Sequence, residues 1–529
     1  MSAQAGILSA AAGRERARPN KWVVVLSVMA GAVMGAIDSS VVNVALVHIQ
    51  ATYGVTTQQV TWVSTSYLVA LVIIMPLTAW LSSILGRKRM YLIAVGIFTG
   101  ASLLCGLSRT LGQLILFRVI QGIGGGVLSP TTQAIARESF PAEEQAQAMG
   151  LFGMVMLLGP AIGPTLGGWL TDNLSWPWIF FVNLPVGILA VFLGGQFIVD
   201  PPWMRAQGFR RIDGMGIGLM TVGLASLQIL LEQGETDGWF QSDLIVGLMI
   251  LCAAALAAFI YWELRDPAPA VDLRIFKNLS FASGALIGAV LGATLFGGLI
   301  LLPLFLQNLL GYTATQAGLT LMPRSLVMVL MMPVAGAVYN RLGPYVLLPL
   351  GLILAGISGI MMTHFTTNSS ELQLLGPLVL QGVGFACMFV PMATTSLSTI
   401  PKRLMQSASS LFTLMFQLGG SLGTAIVITL LNHKITTVSA NLVKYASIYN
   451  PSFRQWWQSY QAAFVARGSD PTTAHLQALA ALHGLISQQA TVIAFDYVFG
   501  TIGTVFLCVL PLVLLLRQGR AASEDPPVA

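Results

Sequence analysis

Apolar stretches recur fourteen times along this chain, each broken from the next by a short polar segment. The pattern predicts membrane spans at 22–47, 58–80, 91–108, 112–135, 146–170, 178–199, 213–231, 243–263, 281–306, 316–338, 345–364, 374–398, 406–431 and 490–516. Stretches of about 20 apolar residues are long enough to cross the ~30 Å hydrocarbon layer of a bilayer as helices. An all-α membrane protein follows, and the even count puts both termini on one side.

The second half of the chain repeats the first. Pro76 precedes Gly86 by the same ten residues that separate Pro333 from Gly343. Gln121-Gly122-Ile123-Gly124 returns 260 positions later as Gln381-Gly382-Val383-Gly384, and Leu158-Gly159 with Gly163 return as Leu418-Gly419 with Gly423. Spans 2, 4 and 5 thus pair with spans 10, 12 and 13. The halves are residues 22–200 and 281–516, flanked by short termini, 1–21 and 517–529. Spans 7 and 8 belong to neither half and read as an inserted hairpin within the linker 201–280. The longest extramembrane segment, 432–489, carries an aromatic and polar stretch at 453–467 that suits an interfacial or partner-docking helix. Two similar membrane-embedded halves are the usual trace of a secondary transporter with its substrate site between them.

Composition agrees: 55% of the 529 residues are hydrophobic and 9% charged, with mean hydropathy +0.78, where soluble domains run near a quarter charged. The net charge of +6 does not mark a nucleic-acid surface, because the basic residues cluster between spans. Nineteen of the 26 Lys and Arg fall on the side of the N-terminus, five on the other and two, Arg118 and Arg324, within spans. That bias places both termini in the cytoplasm. The first apolar run is too long for a signal-peptide core and reads as a retained span. Cys105, Cys252, Cys387 and Cys508 are scattered in apolar runs and suggest neither disulfides nor a metal site. No phosphate-binding loop occurs, which argues against ATP-driven transport. No catalytic constellation stands out, so neither an enzyme nor a bound cofactor is expected.

Eighteen of the 20 acidic residues fall at or beyond span ends; Asp38 and Asp496 do not. An ionisable group within a span costs roughly 2.5–3.5 kcal/mol to insert and is by default functional and paired. Asp38 lies in the outer half of span 1, and Arg118 lies at similar depth in span 4, which runs the other way. Two readings stand: a proton-carrying pair, or a static ion pair joining the two helices. Asp496 and Arg324 remain as cavity candidates, with Asn43, Gln121, Gln381 and Gln417. Span 5 carries Gly159-Pro160 and Gly163-Pro164 followed by Gly167-Gly168. Proline bends a helix and glycine permits close approach, which suits a hinge or a seal between halves as well as a kinked packing helix.

These residues resemble the fourteen-span drug/proton antiporter family of the major facilitator superfamily, of the EmrB and QacA type. The Asp38-to-Ala45 stretch looks like that family's first-span motif, Gly86-Arg87-Lys88-Arg89 like the end of the loop 2–3 motif, and Arg118 to Gly124 like the fourth-span motif. The span 5 cluster is similar to the antiporter motif, and Trp178-Ile-Phe-Phe-Val-Asn183-Leu-Pro185-Val-Gly187 to a sequence of the fourteen-span branch. The resemblance implies a major facilitator fold of two six-helix bundles plus two central helices, with Asp38 and Arg118 in proton coupling. It also implies multidrug efflux in a bacterial inner membrane, with the proton as coupling ion. Ser83 and Ile84 stand where the loop 2–3 motif usually has an acid and a base, so the charge latch of that loop is not expected; Arg87 and Lys88 would serve mainly for orientation. Few acids in the spans, with Arg118 and Arg324 present, point to lipophilic neutral or anionic substrates. The long outer segment is similar to that of the EmrB type, and the resemblance implies a periplasmic adaptor and an outer-membrane channel as partners in a host with two membranes. A nutrient-importing proton symporter, or a membrane scaffold or sensor, are the competing readings.

Overall fold

The computed structural model describes residues 20–200, 213–267, 269–447 and 449–516, and every regular element among them is helical. The basic cluster at Arg14, Arg16 and Arg18, the linker arginines Arg205, Arg210 and Arg211, and the tail 517–529 lie outside the described residues. Fourteen helices are long and apolar enough to cross a membrane. In chain order spans 1–6 are Lys21–Tyr53, Thr57–Leu85, Arg87–Gly106, Leu111–Ser139, Gln145–Asn173 and Trp178–Phe197. The inserted pair is Gly214–Gln233 and Asp243–Arg265, spans 7 and 8. Spans 9–14 are Leu279–Asn308, Ala314–Leu342, Pro344–Met362, Glu371–Ser398, Met405–Val443 and Pro471–Cys508.

Local chemistry explains the repeated boundaries. Spans 2 and 10 each start from a threonine capping box, Thr56 with Gln59 and Thr313 with Gln316, which satisfies the first free backbone donors. Each ends at a glycine with positive φ, 78° at Gly86 and 71° at Gly343, a conformation that other residues rarely adopt. The break inside span 6, at Val182, falls just before Asn183 and Pro185.

Spans 13 and 14 depart from expectation. They run 39 and 38 residues, about 57 Å at 1.5 Å per residue, roughly twice the apolar layer. The segment predicted as a separate outer region, 432–489, is largely the continuation of these two helices, with a further helix, Pro451–Ala466, between them. Apolarity falls at 432 and rises at 490, yet no proline or glycine interrupts 432–443 and alanine, leucine and glutamine fill much of 472–489, so span 13 runs on to Val443 and span 14 starts at Pro471. No residue of Pro451–Ala466 is buried. Its Trp457 ring meets His475 of the span 14 extension at 5.2 Å.

Lys21 pairs with Glu144, and Arg87 with Glu138; this end of the molecule is called the basic end. Among the described residues, the hydrogen bonds and ring contacts between spans 1–6 and spans 9–14 cluster near it. Arg137 donates to the Thr394 carbonyl at 2.9 Å, Gln406 to Thr131 at 3.2 Å and Thr413 to Gln133 at 3.3 Å. Phe152 stacks on Phe389 with ring centroids 6.4 Å apart. Gly150 and Gly336 let backbones meet across the seam, since a Cβ on either would lie within 2.8 Å of a carbonyl oxygen opposite.

Candidate functional site

Span 1 turns Asp38 into the middle of spans 1–6, about 26 Å from its start at 1.5 Å per residue, and span 4 brings Arg118 to the same level. Both are 1% exposed. Arg118 Nη1 donates to Asp38 Oδ2 at 2.6 Å and to Gln121 Oε1 at 2.7 Å, and its Nε donates to the Val63 carbonyl at 3.0 Å. The guanidinium lies 4.1 Å from the Tyr67 ring centroid. The other carboxylate oxygen, Oδ1, accepts from Gln121 Nε2 at 2.8 Å and from Asn183 Nδ2 at 2.9 Å. Both amides also donate to Ser102 Oγ, at 2.7 and 3.0 Å.

Five spans therefore contribute to the network around one ion pair, and each carboxylate oxygen is satisfied. Breaking a buried pair leaves an uncompensated charge in a medium of low dielectric. Adding a proton to Asp38 does this from within: the pair loses its anion, and the Arg118 charge is left among amides and a ring. The arrangement can thus turn one proton into a large local change in electrostatics.

Gln121, expected at the substrate cavity, belongs instead to this network and is fully buried. Asn183 and Ser102 were not singled out from sequence. Asn183 lies inside the span 6 motif, which was a usable signal; Ser102, one serine in an apolar run, gave none. Asn43 is exposed and accepts from Ser64 Oγ at 2.9 Å. Gln417 is half-buried on span 13. Arg324 and Gln381 are buried at mid-depth in the second bundle. Asp496 does not face the seam between bundles: it lines a groove of about 520 Å³ between spans 11 and 14, with Ile360 and Thr363.

Two motif expectations change. The loop 2–3 region does form a charge latch: Arg87, 2% exposed, holds Glu138 with bonds of 2.7 and 3.1 Å. Asp200, beyond span 6, accepts from the Lys88 backbone N–H at 2.7 Å and packs over Gly86, where a Cβ would lie 2.9 Å from Oδ2. Glu138 of span 4 and Asp200 beyond span 6 take the place of the acid missing at Ser83. Lys88 Nζ also donates to the Gly195 carbonyl. The glycine cluster of span 5, expected as a hinge or seal between halves, packs inside the first bundle. A Cβ on Gly159 would lie 2.1 Å from the Ala36 carbonyl oxygen, on Gly163 2.4 Å from Ser40 Oγ and on Gly167 3.0 Å from the Val41 carbonyl oxygen, all in span 1. Pro160 and Pro164 sit inside the helix between these contacts, and Gly168 faces open space.

The model of the Major Facilitator Superfamily matches residues 28–424. The chain belongs to this superfamily. Among curated relatives, this superfamily member is 33% identical to the Multidrug export protein EmrB of Escherichia coli K12 over 91% of its own length and 92% of that protein's. It is 30% identical to the Fatty acid resistance protein FarB of Neisseria gonorrhoeae, over 94% and 96%. It is also 35% identical to a Multidrug resistance protein B homolog of Mycobacterium tuberculosis H37Rv, over 79% of each chain. The crystal structure of the human organic anion transporter MFSD10 shares the fold, with a TM-score of 0.59 at 15% identity over 94% of this chain and all of that one.

Proposed function

We propose that this superfamily member is a proton-coupled multidrug efflux transporter of a bacterial inner membrane. The observation that carries the reading is the Asp38–Arg118 pair, buried inside the first bundle with both carboxylate oxygens hydrogen-bonded. The basic end is cytoplasmic on the positive-inside rule, so the bundles are sealed toward the cytoplasm and the state described is the one that faces outward. A proton arriving at Asp38 from outside breaks the pair, and the stranded Arg118 charge favours a different packing of spans 1 and 4. Release of the proton inside restores the pair and resets the cycle. The membrane potential adds about 2.3 kcal/mol per charge per 100 mV. Because Asp38 lies within one bundle and not on the seam, coupling to substrate runs through helix packing.

Likeness to EmrB, a multidrug export protein, and to FarB, a fatty acid resistance protein, supports export of several compounds here, lipophilic anions among them. The long extensions of spans 13 and 14 reach beyond the membrane on the outer side, and they suit a periplasmic adaptor and, through it, an outer-membrane channel. In inverted vesicles, Asp38→Asn is expected to express normally and to abolish efflux driven by a proton gradient. Undiminished efflux by that variant removes Asp38 from the mechanism.

A further inference from the structure

The two halves are built alike, and the likeness can be read contact by contact. A Cβ on Gly122 of span 4 would lie 2.5 Å from the Tyr67 carbonyl oxygen and 3.3 Å from Leu71 N. A Cβ on Gly382 of span 12 would lie 2.7 Å from the Arg324 carbonyl oxygen and 3.3 Å from Met328 N. Arg324 therefore occupies in the second bundle the place of Tyr67 in the first. By the 260-residue shift Gln381 takes the place of Gln121, and Leu378 that of Arg118. In the first bundle an arginine from span 4 lies against the tyrosine of span 2. In the second, the arginine comes from span 10 and lies 5.7 Å from the ring centroid of Phe385 on span 12.

What differs is the acid. Between residues 279 and 443 the sequence holds a single carboxylate, Glu371, exposed at the start of span 12. Arg324 is 2% exposed, makes no hydrogen bond or ion pair among the described residues, and its buried Nη2 has no partner. Gln381, one helical turn before Phe385 on the same face, is 3% exposed and its Oε1 likewise has no partner. Asp496 does not serve: Phe385 meets span 14 at Phe506, ring centroids 5.7 Å apart, and Asp496 lies about 15 Å back along that helix. A buried guanidinium without an anion is costly in a membrane interior, and buried polar groups are otherwise almost always paired.

The surroundings suit a ligand with one anionic group and an apolar body. On span 9, Gly298 leaves the guanidinium uncrowded; a Cβ there would stand 3.8 Å from Nη2 and 3.9 Å from Nη1. Nearby, half-buried Phe296 meets half-buried Phe416 at 6.1 Å, and Phe416 meets Phe389 of the seam at 6.0 Å. A row of rings thus runs from the seam between bundles to span 9, where it ends two residues before Gly298. The planar fork of a guanidinium matches a carboxylate or sulfonate with two parallel hydrogen bonds.

We propose that Arg324 with Gln381 forms an anion-binding site that takes the carboxylate, phenolate or sulfonate of a lipophilic compound whose rings or chain lie along Phe389, Phe416 and Phe296. The proposal rests on the transport reading for its physiological sense, and binding can be measured apart from transport. The probes are 1-anilinonaphthalene-8-sulfonate and N-phenyl-1-naphthylamine, the same rings without the sulfonate. Saturable binding is titrated on the full-length protein in nanodiscs, with protein-free nanodiscs subtracted. The unaltered protein is expected to prefer the sulfonate at least tenfold. Arg324→Gln is expected to cut that preference at least tenfold, and Arg324→Lys, which keeps the charge and loses the fork, to cut it by less. Should Arg324→Gln fail to fold, Gln381→Glu, which sets a carboxylate one helical turn from Phe385, the ring the guanidinium lies against, carries the same expectation. No preference in the unaltered protein, or a preference that survives in a folded Arg324→Gln or Gln381→Glu variant, overturns the site. Absence of gradient-driven efflux of the neutral amine from vesicles overturns the transport reading instead, and leaves a measured sulfonate preference standing.

Discussion

Asn183 shows how much of the site lives in single side chains. It donates to the same carboxylate oxygen as Gln121 and shares Ser102 with it. A hydrogen bond to a charged group is worth about 1.5–3 kcal/mol, so Asn183→Leu, similar in size and unable to donate, should weaken the network around the Asp38 carboxylate. The expected outcome is a shifted pH dependence of efflux, with normal expression. If Asn183 acts through the Asp38 carboxylate, Asn183→Leu lowers the melting temperature of the unaltered protein but not that of Asp38→Asn; equal losses in both backgrounds would show a separate structural role. The sequence exposed the charged half of this network because an acid and a base in apolar spans stand out. The neutral half was hidden, since amides and hydroxyls are common enough in spans to carry no label. Only the fold brings residues 38, 102, 121 and 183 together.

Between helices the decisive surfaces are those where backbones touch. Spans 1 and 5 meet through Gly159, Gly163 and Gly167, one turn apart along span 5. Without a hydrophobic drive between helices in lipid, close backbone approach of this kind supplies much of the packing. Gly159→Ala forces its Cβ into the Ala36 carbonyl, against backbone that cannot give way as a side chain would. The expected cost is about 1–3 kcal/mol, read as a lower melting temperature in detergent, while Gly168→Ala, with open space at its Cβ, melts with the unaltered protein. Equal melting of both variants would mean that the two helices slide apart freely. The glycine pattern was legible as close packing, but its partner helix was not: a spacing of four names a face and leaves open what lies across from it. Span ends were legible where a cap or a glycine stops the helix, as at Thr56 and Gly343. They were not at spans 13 and 14, where hydropathy changes and helix formation does not.

At the scale of the whole molecule, the inserted hairpin touches both bundles at the end away from the seal. Gln58 of span 2 donates to Asp237 at 2.8 Å, while Thr429 and Asn432 of span 13 donate to Glu235 at 2.6 and 2.9 Å. Gln228 of span 7 reaches Ser421 of span 13 at 2.9 Å. The fourteen-span pattern predicted the hairpin, but not that its turn would bridge the halves where their direct contacts run out. Partial burial alone would raise the Glu235 carboxyl; hydrogen bonds from Thr429, Asn432 and Trp239 outweigh it and hold the group below its ordinary value of 4.5. A carboxyl lowered by folding contributes its stability above that ordinary value and loses it as pH falls through the lowered one. Glu235→Gln keeps the shape and removes the charge, so its melting temperature should lie below that of the unaltered protein at pH 7. The gap should begin to close as pH falls below about 4.5 and vanish below the lowered value, where both carry a neutral group at 235. A gap of constant size from pH 7 to pH 4 would mean that the charge of Glu235 does not hold the bridge. In that case the neutral donors of span 13, and not the ionised turn, tie the hairpin to the moving half.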